Sequence, residues 1–227
     1  MKTVIIVGGS KGIGKAITEQ LLENHHVVNI SRSAPQITHK NLEHHPCDIL
    51  KDNLPDIEQA DALVYCPGSI NLKPFARFTL EDFRNDFEIN VLGAVKTIQQ
   101  YLPVLKNSMA PSILLFSTVA SKLGMPFHAS IATSKSGIEG LVKTLGAELA
   151  PKIRINAIAP TVTDTELASK LLRNEKMTAN IIERHPLKKF LNPQEVADLA
   201  VFLVSDKSAS MSGQIFEMDC GIVTFKI

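Results

Sequence analysis

The segment Val4-Ile5-Ile6-Val7-Gly8-Gly9-Ser10-Lys11-Gly12-Ile13-Gly14 constrains this chain more than any other. An apolar run of strand length enters it. A helical pattern leaves it, with Ala16, Ile17, Leu21 and Leu22 on one apolar stripe. Strand, glycine turn and helix in that order commit the chain to a βα unit, and they also make an anion cradle. Glycines let the backbone bend sharply and approach a pyrophosphate closely. The free N–H groups and the positive dipole end of the helix then face the anion. A plain tight turn is the alternative reading, but it gives no reason for the strand and helix on either side.

The rest of the chain alternates short β-rich runs with amphipathic helical stretches. Strands are expected at residues 3–7, 27–30, 43–47, 62–65, 112–116, 154–159 and 214–218, and helices at 12–24, 80–105, 129–150, 164–184 and 193–204. Several strands are apolar throughout, as parallel strands covered on both faces must be. The pattern predicts a single α/β domain over residues 1–227: a Rossmann-type, doubly wound parallel sheet of seven strands flanked by helices. Ligands of such sheets bind beyond the carboxyl ends of the strands.

Bulk properties exclude several function classes. A net charge of +1 argues against a nucleic-acid surface built on bulk charge. Cys47, Cys66 and Cys220 are scattered, so they form no metal or disulfide framework and fit a reducing compartment. The N-terminal apolar run meets glycine at Gly8, too soon for a membrane span and without the pattern of a signal peptide. The expectation is a cytoplasmic protein that binds neither nucleic acid, membrane nor metal.

The glycines at Gly8, Gly12 and Gly14 follow G-x-x-x-G-x-G and not G-x-G-x-x-G. This spacing resembles the short-chain dehydrogenase/reductase family, and the resemblance runs nearly end to end. It implies that Gly8, Ser10, Lys11, Gly12, Ile13 and Gly14 hold a dinucleotide. Val7 stands where the family usually has Thr. After the second strand the chain reads Asn29-Ile30-Ser31-Arg32. An NAD-specific site places Asp or Glu about here for the ribose hydroxyls, but Ser31 takes that place and Arg32 follows. A carboxylate repels a 2′-phosphate, whereas a guanidinium pairs with it. With Lys11, this arrangement resembles the NADP-preferring members, so NADP(H) is the expected cofactor. Two solvated surface cations are the alternative. Asp48 matches the family Asp that contacts adenine, or it simply forms a turn. Of the family's N-N-A-G, only Gly68 remains in Tyr65-Cys66-Pro67-Gly68.

The resemblance also implies a catalytic set. Asn90 matches the Asn whose backbone organises a water-linked proton relay; a structural hydrogen bond is its other reading. Thr118, preceded by Ser117, falls on the catalytic Ser, and its hydroxyl can donate to a substrate carbonyl. Ordinary strand-end polarity explains both residues as well. In the family's Y-x-x-x-K, Lys135 is present and Ile131 occupies the tyrosine position. Isoleucine cannot move a proton, and positioned acid–base catalysis is typically worth ~10²–10⁴-fold in rate. His128, or Lys135 acting through water, is a candidate replacement. Pro160 lies before the substrate loop. Thr163 and Thr165 fall where family hydroxyls meet the nicotinamide amide, or they cap the next helix. Residues 161–190 are expected to form a lid. The last strand, around Ser212-Gly213-Gln214, resembles that of 3-oxoacyl-acyl-carrier-protein reductases, which usually form dimers or tetramers.

Three functions follow. The first is an NADP(H)-dependent oxidoreductase acting on a small-molecule carbonyl or secondary alcohol, as a homodimer or homotetramer, with a proton donor other than tyrosine. The second is an NADP(H)-binding pseudoenzyme with a sensing or oligomer-supporting role. Lyase or isomerase chemistry on the same scaffold is a third, which fold alone does not exclude.

Overall fold

Alternate residues of the central strands go to opposite faces of one sheet, and both faces are covered. In β1 (Lys2–Val7), Ile5 and Val7 join one apolar cluster while Val4 and Ile6 join the other. In β5 (Ser112–Phe116), Ile113 and Leu115 take the first face, and Leu114 and Phe116 the second. This period of two is that of an extended strand. With apolar residues in both phases, the central strands must be buried on both sides. Each fully buried Ile or Leu is worth about 1.5–3 kcal/mol.

The computed structural model describes residues 1–225. Its remaining strands are β2 (His25–Ser31), β3 (Leu42–Pro46), β4 (Ala62–Tyr65), β6 (Arg154–Pro160) and β7 (Ile215–Met218). The spatial order is β3-β2-β1-β4-β5-β6-β7, with every pairing parallel. The helices are α1 (Gly12–Leu21), α2 (Leu80–Phe87), α3 (Gly93–Lys106), α4 (Ala129–Glu148), α5 (Glu175–Arg184) and α6 (Pro193–Val204). On the first face, α3 contributes Ile98, Tyr101 and Leu105, and α4 contributes Ile138 and Val142. On the second, α1 contributes Ile17 and Leu21, and α6 contributes Val196 and Leu203. This is the expected doubly wound single domain. Strand order reverses between β1 and β4, and the crevice there is where such sheets bind ligands.

Two expected helices differ. The stretch 80–105 is not one α-helix: it widens into a π turn at Glu88–Leu92 between α2 and α3. Asn90 donates its side-chain amide to the Asp86 carbonyl at 2.7 Å, competing for the acceptor its own N–H would use in an unbroken α-helix. Tyr65, at the end of β4, donates its hydroxyl to the Ile89 carbonyl at 2.6 Å. A Cβ on Gly93 would lie only 2.2 Å from that hydroxyl, so glycine is required where α3 begins. The stretch 164–184 is likewise broken. Thr165 caps a single 3-10 turn at Glu166–Ala168, and Asn174 caps α5 separately, accepting from the Met177 N–H at 3.0 Å. Two caps start two elements where one was expected.

Among the described residues, no helix is long and apolar enough to cross a membrane. None of their His, Cys, Asp and Glu side chains gather in threes or more to hold a metal ion.

Candidate active site

The glycine turn leaves β1 with Gly8 at φ +79° and passes Gly12 at φ +52°, left-handed values that favour glycine. Gly14 is required for a different reason: a Cβ there would sit 2.2 Å from the Gly8 carbonyl oxygen. Polar groups beneath the turn fix its path. The Gly9 N–H donates to Asn29 Oδ1 at 2.8 Å, and the buried Thr18 hydroxyl donates to the Gly14 carbonyl at 2.9 Å. Helix α1 has no side-chain N-cap bond and no acidic residue in its first turn, so its positive end is left bare. The cradle fits a dinucleotide pyrophosphate.

A cleft of about 440 Å3 borders this turn, lined by Ser10, Lys11, Gly12, Ser33, Thr165 and Glu166 among others. Lys11 pairs with Glu166 across 2.8 Å, both side chains largely exposed. Ser10 and Ser33 lie hydroxyl to hydroxyl at 3.3 Å. Arg32 is exposed at the end of β2. Ser31 is buried instead: its hydroxyl donates to the Ser33 carbonyl and accepts from Asn29 Nδ2. Asp48 accepts from the Leu50 N–H at 3.1 Å and lies 3.9 Å from the Lys51 ammonium, the geometry of a turn former.

A second cleft, of about 180 Å3, shares Thr165 with the first and runs across the ends of β4, β5 and β6. Ile13, Gly68, Ser117, Thr118, Ile131, Lys135, Pro160 and Thr163 all line it. Its walls are mostly apolar. Lys135 is 8% exposed and donates from Nζ to the Phe116 carbonyl at 2.8 Å, which leaves two of its three N–H donors for a ligand. Burial pushes this ammonium down to about 8. Cys66, beside it, is pushed up to about 12 by burial, which makes it a neutral thiol. Gly68 approaches both Asn90 and Lys135. A Cβ there would lie 3.1 Å from Asn90 Oδ1 and 3.5 Å from Lys135 Nζ.

The hydroxyls differ in how free they are. Ser117 is buried and donates to Glu139 Oε1 at 2.7 Å. Thr118 accepts only a long 3.4 Å bond from the Ala120 N–H, so its own proton is available to the cleft. Thr163 donates to the Thr161 carbonyl at 3.0 Å, and Thr165 serves as a cap. Ile131 is buried against the cleft, one helical turn before Lys135. The chain has two tyrosines, and both hydroxyls are engaged elsewhere: Tyr65 on the Ile89 carbonyl and Tyr101 on that of Pro55. His128 lines the cleft, with Nδ1 2.7 Å from the Pro126 carbonyl.

Sequence reasoning missed Ser69 and Asp86. Ser69 lines the cleft directly after Gly68 and bonds to Asp86 Oδ1 at 2.6 Å. The available signal was spacing: Asp86 and Asn90 are four residues apart and so share one helix face. It also missed the buried His185, whose Nε2 lies 2.7 Å from the Thr161 hydroxyl and ties the end of α5 to the exit of β6.

Seven parallel strands, a bare glycine turn at the crossover and a lysine-bearing cleft beside it define a nucleotide-binding α/β enzyme fold. The family model described as enoyl-(acyl carrier protein) reductase matches residues 7–223. The chain belongs to the short-chain dehydrogenase/reductase family of oxidoreductases. It is 31% identical over 242 residues to the 3-oxoacyl-acyl-carrier-protein reductase of Thermotoga maritima, covering 98% of each chain. It is 27% identical over 231 residues to carbonyl reductase (NADPH) 2 of Sus scrofa, covering 96% of this chain and 94% of that one. A short chain dehydrogenase family protein from Francisella tularensis has the same fold. The TM-score is 0.90 at 27% identity, over 99% of this chain and 100% of that one.

Proposed function

We propose that the protein is an NADP(H)-dependent oxidoreductase that interconverts a carbonyl and a secondary alcohol. The observation that carries this reading is Lys135. It is a buried ammonium with two free donors, fixed by the Phe116 carbonyl, in a cleft that continues into the glycine cradle. Gly8, Ser10, Gly12, Ile13 and Gly14 hold the pyrophosphate. Lys11 and Arg32 meet the 2′-phosphate, and Lys135 holds the nicotinamide ribose. Ser31 and Asp48 border the adenosine end, and Gly68, Pro160, Thr163 and Thr165 border the nicotinamide end. The bound cofactor supplies or accepts a hydride. The Thr118 hydroxyl donates to the substrate oxygen, the Lys135 charge stabilises the developing alkoxide, and the apolar walls exclude water. Asn90 supports this arrangement from behind the cleft wall, and Ser117, in the wall itself, is held by Glu139. The proton donor is not the tyrosine of the family motif, because Ile131 stands at that position. A 3-oxoacyl group is one candidate carbonyl substrate, by likeness to the 3-oxoacyl-acyl-carrier-protein reductase of Thermotoga maritima. The active form is a homodimer or homotetramer in the cytoplasm.

A second reading, an NADP(H)-holding pseudoenzyme, is favoured by one observation: neither tyrosine reaches the cleft. NADPH oxidation against a ketone panel that includes an acetoacetyl thioester separates the two. Turnover by the wild type supports the enzyme. Activity seen only in Ile131→Tyr supports the pseudoenzyme.

A further inference from the structure

Ser69 Oγ donates to Asp86 Oδ1 at 2.6 Å and accepts from Asn90 Nδ2 at 3.0 Å. Ser69 lines the cleft, whereas Asp86 is 3% exposed and Asn90 is fully buried. Two atoms of this group, Asp86 Oδ2 and Asn90 Oδ1, have no hydrogen-bond partner. A buried carboxyl oxygen without a donor is costly. No ion pair reaches Asp86 among the described residues: Lys73 is paired with Asp82, and the hydrogen bond that Lys135 makes goes to the Phe116 carbonyl. Helix propensity does not call for an aspartate at this buried position either. The cleft therefore presents a hydroxyl backed by a buried carboxyl group, next to the glycine that touches Lys135.

We propose that Ser69 and Asp86 move the proton that Ile131 cannot. Ser69 is the catalytic residue that touches the substrate oxygen, and Asp86 is the positioning residue behind it. The inference rests on the oxidoreductase reading above. With NADP+ bound as the hydride acceptor, alcohol oxidation would run along the observed hydrogen bond: the substrate O–H bond breaks and its proton joins Ser69 Oγ, while the Ser69 proton passes to Asp86 Oδ1, which releases it to solvent. The carbinol C–H electron pair leaves with its hydrogen as the hydride, and the carbonyl forms. Reduction reverses each transfer. Asn90 Nδ2 holds the serine oxygen in line throughout. The other ionisable groups on α2, the π turn and α4 are Glu81 paired with Arg84, Asp82 paired with Lys73, Glu88, Lys135, Glu139, Lys143 and Glu148, with His128 just before α4. Glu139 is held by Ser117 and Ser121.

The test places Asp86→Asn and Ser69→Ala in the wild type and in Ile131→Tyr, using NADPH and an acetoacetyl thioester. Either change lowers wild-type kcat by roughly 10²-fold and removes one limb of its pH profile. The loss shrinks to under about threefold in Ile131→Tyr, where the tyrosine offers a second route. NADPH affinity and thermal midpoint, measured alongside, separate lost chemistry from lost folding. Ser69→Ala takes the donor from buried Asp86 Oδ1, so Ser69→Thr, which keeps the hydroxyl and is expected to keep turnover, is the folding control. Infrared difference spectra of the cofactor-free protein give a readout independent of turnover: the carboxyl band lost in Asp86→Asn shifts in Ser69→Ala. Equal losses in both backgrounds, an unchanged pH profile or an unshifted band overturns the relay. If the wild type turns over and Asp86→Asn is harmless, the relay alone fails. If the wild type binds NADPH but reduces nothing, the oxidoreductase reading fails and the relay falls with it.

Discussion

Lys11 Nζ, in the middle of the glycine turn, lies 2.8 Å from Glu166 Oε2 in the segment that follows β6. This pair spans 155 residues of sequence and closes the outer cleft on one side. Both side chains are more than half exposed, so the pair adds little stability. Under the NADP(H) reading proposed above, a 2′-phosphate would compete with Glu166 for this ammonium.

Glu166→Gln is therefore expected to tighten NADPH binding by roughly twofold to fivefold, the range of an exposed ion pair. The thermal midpoint should not move, and NADH affinity should stay the same. Cofactor fluorescence titration measures all three arms. Weaker NADPH binding would show that Glu166 helps the cofactor site and does not compete with it.

Arg32→Asp replaces an exposed guanidinium at the end of β2 with a carboxylate. Losing a charge-assisted bond to a phosphate weakens NADPH binding by roughly 10–100-fold. NADH binding should hold or improve, since a carboxylate there suits ribose hydroxyls. A wild type that already prefers NADH would refute the role given to Lys11 and Arg32.

Gly14→Ala puts a Cβ where the Gly8 carbonyl oxygen stands 2.2 Å away. Backbone must move, at a cost of about 1–3 kcal/mol. Denaturant titration should show that loss, and NADPH affinity should fall with it because the cradle itself is displaced. Gly140→Ala, on α4 with nothing within 4 Å of the added Cβ, is the control and should be neutral or slightly stabilising.

Lys135 makes stability depend on pH in a definite direction. Burial lowers its folded value to about 8 from 10.5. Between these values the unfolded chain binds more protons, so stability rises with pH there. Below about 8 the cost of burying the charge is fully present, on the order of 3 kcal/mol. Between pH 8 and 10.5 the stability of the wild type relative to Lys135→Met should therefore increase. Urea titrations across that window test it, and a flat difference would show that the ammonium is not desolvated. Lys135→Met should also abolish turnover at every pH.

The alternation of short apolar runs with amphipathic stretches was enough to place seven strands and the parallel sheet. Both signals are local and repeat along the chain. Positions 4–7 and 112–116 carry apolar residues in both phases, which only a strand covered on two sides needs. The glycine turn was legible for the same reason: left-handed φ at Gly8 and Gly12 is a backbone requirement that composition displays directly. The break at Glu88–Leu92 was not legible. It coincides with the Asn90 side-chain bond to the Asp86 carbonyl and with the Tyr65 hydroxyl on the Ile89 carbonyl, a contact between residues 24 apart. Helical periodicity on either side carries no trace of it. The split at 164–184 did leave signals, Thr165 and Asn174. Propensity alone could not say which cap would act.

The sequence by itself determined that this chain is a doubly wound α/β dinucleotide-binding domain, with Lys135 in the cleft and isoleucine four residues before it. The fold and the glycine turn follow from backbone geometry, period and spacing, whereas the dinucleotide, Lys135 and Ile131 follow from the likeness to the short-chain dehydrogenase/reductase motifs. Tertiary structure alone decided how the polar groups are used. It turned Ser117 onto Glu139, left Thr118 facing the cleft, tied Lys11 to Glu166 and buried Asp86 against Ser69. Each of these joins residues far apart in sequence. A hydrogen bond's worth depends on burial and on the partner it finds, and only the folded chain supplies either.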